Sequence, residues 1–405
     1  MKPKNTPSAS KVLGGILLIS GCCIGAGMLG LPVMSAMAGF KPSLVLFIIS
    51  WLFMVCTGLL LLEVNLWFPE EVSLITMAGR TLGPVGKAIT WGGFLFLFYS
   101  LMVAYISAGG QLFAALFEQL GGITVPAWSG SLFFICFFGA LVYLGTQTVD
   151  WFNRLLMLGL IGSYLLLVGF GLSHINRQLL KPQDWSAAPL ALPAMLISFG
   201  FHNMIPSLKN YLQGHVNSLR LTIIAGSALP LVVYILWEAL ILGLIPLEGA
   251  GGFREALNAG DLATHALKTA IGGSWIADMA HHFAFFALVT SFLAVCLSFV
   301  DFLADGLPVK KDSKGRFLLC LLVLGPSFGF ALLYPKIFLT ALNYAGAFGT
   351  VLLFGILPAA MVWAGRYHQG LGEKRLVPGG KILLLLVISF AAMVMLLQMA
   401  AELNK

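Results

Sequence analysis

The chain has 405 residues, of which 59% are hydrophobic and only 10% are charged. Soluble proteins carry roughly 25% charged residues, so this chain has too few charges to cover a water-soluble surface, and its mean hydropathy of +0.95 assigns the excess apolar surface to lipid. Soluble enzymes, DNA-binding proteins, coiled coils and disordered scaffolds are excluded, and the net charge of +7 indicates basic cytoplasmic loops beside a lipid bilayer rather than a nucleic-acid partner.

Apolar stretches long enough to cross a bilayer recur along the whole chain. A hydrocarbon core of about 30 Å takes about 20 helical residues, and lipid offers no partner for free backbone groups, so these stretches are predicted to be helices. We predict an all-α polytopic membrane protein with eleven transmembrane helices. The predicted spans are 12–37, 43–68, 84–117, 128–147, 150–172, 189–212, 219–245, 275–304, 316–333, 338–363 and 381–401.

The basic residues predict the orientation of these spans. Lys2, Lys4 and Lys11 precede the first span, and Lys and Arg gather on the cytoplasmic side of membranes. With residues 1–11 as a cytoplasmic tail, alternation of the spans assigns most of the 23 basic residues to cytoplasmic segments. The C-terminus is then expected outside.

The first span contains a cluster of glycines at membrane depth. Gly21, Gly25 and Gly27 lie within seven residues, and Gly30 and Pro32 follow. Each glycine costs a helix about 1 kcal/mol relative to Ala, so another interaction must compensate. Either small residues let neighbouring helices approach, or the helix is unwound and its free backbone groups bind a ligand.

Two acids lie deep inside predicted spans, away from the span ends: Glu63 in the second and Glu238 in the seventh. An ionisable residue costs about 3 kcal/mol to insert at membrane depth, so each is a candidate for function.

The sixth span is interrupted in the same way as the first. Residues 198–203 bring a glycine and several polar groups into an apolar helix, and Pro206 closes the interruption. Interrupted helices at the start of two successive sets of five predict a five-plus-five inverted repeat with discontinuous helices 1 and 6 and a site between them. The repeats are 12–173 and 189–365, and 379–405 forms the eleventh helix and the C-terminus.

The segment 246–274 is the one long loop, and it contains six glycines around a weakly amphipathic stretch at 253–271. This pattern is typical of external helical segments hinged on glycines. It serves either as a lid or as a passive connector.

No motif for catalysis or metal binding occurs. The six cysteines fall inside apolar runs without a CxxC pair, and HExxH, GxSxG and Walker A patterns are lacking. We therefore do not expect an enzyme or a cofactor, and a channel or an intramembrane enzyme is a less favoured alternative to a transporter.

Six segments carry a resemblance to a known family: 21–31, 62–64, 104–107, 198–202, 290–293 and 301–305. They resemble the bacterial hydroxy and aromatic amino acid permeases, most closely the tyrosine-specific and tryptophan-specific ones, over essentially the whole chain. The resemblance implies a leucine-transporter-like fold of the amino acid-polyamine-organocation superfamily. It further implies a secondary transporter that imports an aromatic amino acid by cation symport across the bacterial inner membrane, without an obligate protein partner. A serine- or threonine-selective permease of the same fold is an alternative.

The resemblance also implies a substrate site. The amides of 22–27 would receive the substrate carboxylate, the carbonyls of 198–200 would accept from its ammonium group, and Tyr105 would face the ligand. Three Phe residues would form an apolar pocket for an aromatic ring. The implied substrate-binding residues are Gly21, Cys22, Cys23, Ile24, Gly25, Ala26, Gly27, Tyr105, Ser198, Phe199, Gly200, Phe201 and Phe286.

The coupling ion implied by the resemblance is H⁺, with Na⁺ as the alternative. Thr290 and Ser291 correspond to hydroxyls that complete a sodium site in sodium-coupled relatives, so the alternative places Na⁺ there, and no other metal site is predicted. The resemblance gives Glu63 the role of accepting amide protons freed at the helix breaks, and it leads us to expect Gln rather than Glu238.

His202 is the imidazole that directly follows the sixth-span break, and it serves either proton transfer or packing. Asp301 and Asp305, followed by Lys310 and Lys311, form either a cytoplasmic charge cluster or a gate. The coupling and gating candidates are Glu63, His202, Glu238, Thr290, Ser291, Asp301 and Asp305.

Overall fold

The computed structural model describes residues 7–121, 125–271, 275–309, 312–371 and 375–403. Lys2 and Lys4 of the predicted tail, Lys310 and Lys311 of the predicted charge cluster, and the end of the long loop at 272–274 lie outside these ranges. Every regular element within the described ranges is a helix, which confirms the all-α class.

Sixteen α-helices follow one another along the described ranges. Three short 3₁₀ helices (Leu172–His174, Ala188–Ala191 and His202–Met204) and one π-helix (Ala345–Ile356) complete the elements. The α-helices are α1 Ala9–Cys23, α2 Gly27–Ser35, α3 Phe40–Trp67, α4 Leu74–Gly121, α5 Ala127–Leu144, α6 Thr146–Gly171, α7 Leu192–Ser198, α8 Ile205–Tyr211, α9 Val216–Leu244, α10 Phe253–Ala259, α11 Ala263–Ile271, α12 Trp275–Gly306, α13 Ser313–Leu333, α14 Phe338–Tyr344, α15 Leu357–Tyr367 and α16 Gly380–Leu403.

Each of the eleven predicted spans has a helical counterpart, but the count of eleven is not confirmed. Within the described ranges, nine helices are long and apolar enough to cross a membrane, and α1 with α2 makes a tenth as a bent pair. The apolar part of α5, Trp128–Leu144, is shorter. At 1.5 Å per residue it extends about 26 Å, somewhat less than a hydrocarbon core of about 30 Å.

Local chemistry explains where several helices begin and end. The Ser8 hydroxyl accepts from Lys11 N–H at the start of α1, and Asp312 Oδ1 accepts from Gly315 N–H (2.7 Å) at the start of α13. Such caps satisfy amides that a helix leaves free at its first turn. Gly145, with φ +111°, is the whole connection between α5 and α6, a conformation that favours glycine.

The helices form two groups that meet along the centre of the molecule. One group contains α1, α2, α3, α7, α8 and α9, which contact one another; the other contains α4, α5, α6, α12 and α13. The π-helix packs against α7 from the first group and α4 from the second. Gly346 makes this possible, because a Cβ there would clash with the Pro193 carbonyl of α7.

The long loop folds into α10 and α11, which pack against α2. Gly249, Gly251 and Gly260 have φ of +101°, +71° and +66° at its turns, where glycine avoids the steric cost paid by other residues. The predicted helical segments hinged on glycines are therefore present in the described part of the loop. Whether the loop acts as a lid or as a connector stays a prediction.

Candidate binding site

A cavity of about 320 Å³ lies where the two helix groups meet. This volume falls near the lower end of the range for small-molecule sites, about 300–1,000 Å³. The cavity is lined by residues from the α1–α2 break, the α7–α8 break, α4, α6, α12 and the π-helix. Of the predicted residues, the structure brings together here Gly21, Cys22, Cys23, Ile24, Gly25, Ala26, Gly27, Tyr105, Ser198, Gly200, Thr290 and Ser291.

The first break bends the chain by 56° between α1 and α2. Ile24 N–H still donates to Ser20 O (2.9 Å), and Ala26 N–H donates to Ser291 Oγ of α12 (2.8 Å). The Gly25 amide lies between them, lines the cavity, and has no hydrogen-bond partner in the described part of the chain. The break therefore presents the Gly25 amide as a free backbone donor at the cavity.

The glycines of this break have different surroundings. A Cβ on Gly25 would clash with Ser291 Oγ, and a Cβ on Gly27 would lie 3.1 Å from Ser198 Oγ of the second break. A Cβ on Gly21 would meet only Met157, at 3.9 Å. Close packing and an unwound break, the two readings left open by the sequence, thus occur together at Gly25 and Gly27.

The second break separates α7 from α8. Residues 199–201 are non-helical, and the 3₁₀ helix His202–Met204 leads into α8. Ser198 O and Cys23 O both accept from the Tyr234 hydroxyl of α9, at 2.7 and 2.6 Å. One tyrosine therefore joins the second break to the first.

Four aromatic side chains line the cavity: Phe94, Phe98 and Tyr105 of α4 and Phe354 of the π-helix. Only Tyr105 was predicted. Phe94, Phe98, Leu101 and Tyr105 follow the i, i+4, i+7, i+11 spacing of one helical face, so extending the face of Tyr105 towards the N-terminus would have found two of the missing three. Phe354 has no such signal, because it lies on a π-helix.

Four polar side chains that the sequence-based site omitted also line the cavity: Asn153 of α6, Asn203 of the second break, Ser298 of α12 and Thr350 of the π-helix. Asn153 Oδ1 and Thr350 Oγ1 are buried and have no hydrogen-bond partner among the described residues. Buried polar groups are usually satisfied, so both atoms are available to a ligand. The sequence feature that could have identified these residues is a polar side chain inside an apolar span.

Three predicted pocket residues, Phe199, Phe201 and Phe286, do not line the cavity. The Phe199 ring packs on Tyr234 with centroids 5.1 Å apart. Phe201 and Phe286 lie against Gly58 and Gly159, where a Cβ would be within 3 Å of either ring. The missing side chains of these glycines make room for the rings between helices, so the aromatic wall of the cavity comes from other residues.

Glu63 is buried in an ion pair. Its two oxygens accept from Arg366 at 2.7 Å each, and Oε2 also accepts from Leu376 N–H (2.7 Å). Both side chains of the pair are 1% exposed. These bonds join α3 to α15 and to the segment after it, and none of them reaches a helix break. Glu63 therefore does not accept amide protons freed at the breaks, the role that the resemblance implies.

The two other titratable candidates inside spans are also buried away from the cavity. His202 is 0% exposed; its Nε2 lies 2.9 Å from Thr57 Oγ1, and its ring stacks on Phe354 with centroids 4.8 Å apart. Glu238 is 0% exposed and hydrogen bonds through Oε1 to the Ser35 hydroxyl at the end of α2. Neither residue lines the cavity.

The remaining candidates lie on α12. Thr290 Oγ1 donates to Phe286 O (2.8 Å) in its own helix, and Ser291 Oγ accepts from the first break. Asp301 and Asp305 are exposed near the end of the helix. Among described residues, no group of three or more His, Cys, Asp or Glu side chains is placed to hold a metal ion.

The cavity continues towards one face of the molecule. It shares Phe94, Phe98 and Asn203 with an adjoining pocket of about 350 Å³ that reaches Glu71 and Ser73 between α3 and α4. The connection between α3 and α4 lies on the same face of the molecule as the start of α1. The chain crosses once through α1 and α2 and then crosses back through α3.

The opposite side of the cavity is closed. Met28 and Leu29 of α2 are fully buried, and a Cβ on Gly30 would lie 3.0 Å from Leu342 of α14. The helices α10 and α11 cover α2 on this side. Among the described residues, the cavity therefore adjoins a further pocket on one face and is closed by packed residues on the other.

Comparison with known proteins adds a family to this geometry. The tryptophan/tyrosine permease family matches residues 8–398. The chain is 35% identical to tyrosine-specific transport system 1 of Haemophilus influenzae, over 95% of this chain and 96% of the relative. It is 31% identical to the tryptophan-specific transport protein of the same organism, over 97% and 96%. It is 30% identical to the low affinity tryptophan permease of Escherichia coli K12, over 94% of each chain.

Proposed function

This chain belongs to the tryptophan/tyrosine permease family, and we propose that it imports an aromatic amino acid by symport with a cation across a bacterial inner membrane. The family and its relatives are transport proteins, so the chain is a permease and not an enzyme. The observation that carries the proposal is the cavity between two interrupted helices, which opens to one face.

The lining suits a zwitterion. None of the lining residues is charged, and burying a protein charge opposite a neutral ligand would be costly. The substrate carboxylate binds the Gly25 amide at the start of α2, where the helix dipole favours an anion. The ammonium group donates to Asn153 Oδ1 and to the Gly200 carbonyl, which already lies 3.5 Å from Cys22 Sγ.

The aromatic wall favours a ring over a hydroxyl side chain. Phe94, Phe98, Tyr105 and Phe354 surround the same cavity, and aromatic pairs contribute about 0.5–1.5 kcal/mol beyond the area they bury. A serine- or threonine-sized substrate would leave these rings without a partner.

Access from one face supports alternating access. With the N-terminus in the cytoplasm, the described conformation is open to the inside and closed to the outside. A leucine-transporter-like arrangement of two five-helix repeats provides the second conformation, in which the same cavity opens on the other side.

A proton is the proposed coupling ion, with sodium as the alternative. Of the two hydroxyls that sodium would use, Thr290 Oγ1 donates its proton to Phe286 O and keeps its lone pairs, whereas Ser291 Oγ already accepts from the Ala26 amide with one of its two lone pairs. A sodium ion, which takes oxygen ligands, would therefore share Ser291 Oγ with that amide.

Uptake into proteoliposomes tests the function. Radiolabelled Trp, Tyr, Phe and Ser are offered with an imposed pH gradient or an imposed Na⁺ gradient. We expect saturable uptake of an aromatic amino acid that follows the pH gradient, together with counterflow. Competition by Ser and not by aromatic amino acids would overturn the substrate class, and conductance far above carrier turnover would overturn the carrier mechanism.

Cys22 provides a test of the site itself. Its thiol is exposed although it lies at membrane depth, because it lines the cavity. A thiol reagent should label Cys22, and a bound aromatic amino acid should slow that labelling, as measured by mass spectrometry. Cys136 of α5, which is exposed but outside the cavity, is the matched control and should label at the same rate with and without substrate. Equal effects on both cysteines would place the ligand elsewhere.

A further inference from the structure

Glu238 differs from the other buried acid of the molecule. Glu63 has an arginine partner, whereas none of the ion pairs between described residues includes Glu238. Its Oε1 hydrogen bonds to the Ser35 hydroxyl, and its Oε2 has no hydrogen-bond partner in the described ranges. A buried carboxylate without a positive partner is costly. An ionised Glu238 would therefore carry a negative charge that no neighbouring positive group compensates.

The single hydroxyl proton of Ser35 allows different hydrogen bonds when Glu238 is ionised and when it is protonated. Ser35 Oγ lies 2.8 Å from Leu31 O in its own helix as well as against Glu238. A hydroxyl has one proton, and a carbonyl oxygen only accepts. An ionised Glu238 competes with Leu31 O for that proton, whereas a protonated Glu238 donates to Ser35 and leaves the bond to Leu31 O intact.

A second hydroxyl repeats this arrangement. Ser43 of α3 faces Glu238, and its Oγ donates to Gly39 O at 2.8 Å. Both neighbouring hydroxyls therefore have a helix carbonyl for their proton, and a protonated Glu238 can donate its single proton to one of them.

No charged group on the packed elements faces Glu238. The surroundings are the two serine hydroxyls from α2 and α3, and Tyr234 lies one turn earlier on α9 itself. The elements packed against α9 are α1, α2, α3, α6, α11 and the 3₁₀ helix Leu172–His174. No electrostatic contact with Glu238 is found for their described charged or titratable residues, which include Lys11, Lys41, Glu63, Asp150, Arg154, His174, His265 and Lys268.

We propose that Glu238, which stands where the resemblance leads us to expect Gln, is the carboxyl that binds the coupled proton in this chain, an inference that rests on the proposed proton symport and not on the resemblance. In the step itself one proton joins one carboxylate oxygen, and no other bond forms or breaks. The contacts of Glu238 and its neighbour connect protonation to the cavity through α2. Trp237 donates to Met28 O (3.0 Å) near the start of α2, and Glu238 hydrogen bonds to Ser35 at its end. The first residue of α2, Gly27, lines the cavity.

The test compares driven accumulation with counterflow in proteoliposomes. In the wild-type chain, a pH gradient drives accumulation of the aromatic substrate. In Glu238→Gln we expect that accumulation to be lost while counterflow, which needs no net proton movement, persists. His202→Gln tests the competing buried titratable group, and Glu248→Gln, which removes an exposed carboxyl of the long loop outside the cavity, is the control that should keep driven accumulation.

The outcomes separate the inference from the proposed function. Driven accumulation that survives in Glu238→Gln overturns the proton site and leaves the symporter intact, as does its loss in His202→Gln alone. A wild-type chain that shows counterflow but ignores the pH gradient overturns both the proton symport and the site, and a wild-type chain without counterflow overturns the carrier itself.

Glu238→Asp covers the case in which Gln prevents folding. The aspartate keeps a carboxyl but is one methylene shorter, so its contact with Ser35 is weakened. We expect driven accumulation to be retained with a shifted pH midpoint relative to the wild type. An unshifted midpoint would overturn the proposal.

Discussion

The two helix breaks occupy equivalent positions at the start of the two predicted repeats, but they expose different chemical groups to the cavity. At the first break the chain bends by 56°, seven consecutive residues line the cavity, and the Gly25 amide has no partner in the described chain. At the second break Phe199 and Phe201 are buried between helices, and Ser198 O is held by Tyr234. An interrupted helix thus exposes backbone to the cavity in one case and mainly anchors the chain in the other.

The largest effect is expected from Gly25→Val. The new side chain would displace the Ser291 hydroxyl from the Ala26 amide and fill the space beside the free amide. We expect substrate affinity to fall at least about 100-fold, equivalent to about 2.7 kcal/mol, with folded protein still obtained in detergent. Binding of radiolabelled substrate to purified protein measures this, and unchanged affinity would contradict the role of the first break.

A double variant separates the clash from the loss of the amide site. In Gly25→Ala with Ser291→Ala, the new methyl group lies 3.6 Å from the carbon that remains at residue 291, which is an ordinary contact. If the clash alone matters, the double variant should bind as well as Ser291→Ala. If the methyl group covers the amide, binding stays weak.

Tyr234→Phe should have the second largest effect, because it removes the hydroxyl that joins the breaks. The Cys23 and Ser198 carbonyls would lose their shared donor, and a buried unsatisfied group costs about 1–3 kcal/mol. We expect lower thermal stability in detergent and slower uptake. Tyr164→Phe removes a similar bond to Val233 O (2.8 Å) away from the breaks and should lower stability without slowing uptake; equal slowing in both variants would contradict the linkage.

Phe94→Leu and Phe201→Leu distinguish the cavity wall from the anchor of the second break. Phe94 lines the cavity and Phe201 does not, so only the first change should raise the KM for an aromatic substrate, by about 2- to 10-fold for a lost aromatic contact of about 0.5–1.5 kcal/mol. Phe201→Leu should instead lower thermal stability, since the ring is fully buried. A raised KM in Phe201→Leu alone would show that the substrate ring binds at the second break and not beside Phe94.

The smallest effect is expected from Gly21→Ala. Its Cβ would meet only Met157, at 3.9 Å, and Ala favours a helix by up to about 1 kcal/mol over Gly. Uptake should stay within about twofold of the wild type, since changes without a named defect stay within about 0.5 kcal/mol. A large loss would show that the substrate or a moving helix approaches Gly21 more closely than this conformation does.

Composition and glycine placement predicted the helical class and both breaks, because these features depend on local sequence. Apolar stretches require helices in lipid, and Gly25 and Gly200 each mark a place where the helix is interrupted. The backbone part of the site follows from the same signal.

The side-chain part of the site depends on tertiary packing, and here prediction from the sequence was weaker. Phe201 and Phe94 are both aromatic residues inside spans, and only the neighbouring Gly58 decides that Phe201 turns between helices. The partner of Glu63, Arg366, is 303 residues away, and no periodicity connects the two positions.

The π-helix at Ala345–Ile356 has a consequence for chain length. Two of its residues, Thr350 and Phe354, reach the cavity because the wide turn sets their direction, and such turns often occur at functional sites. Each residue of an α-helix rotates the chain by roughly 100°. Deleting a single residue just before Thr350 would therefore turn both side chains out of the cavity even if every remaining residue kept its identity. In this stretch an insertion or deletion is expected to be more damaging than any conservative replacement.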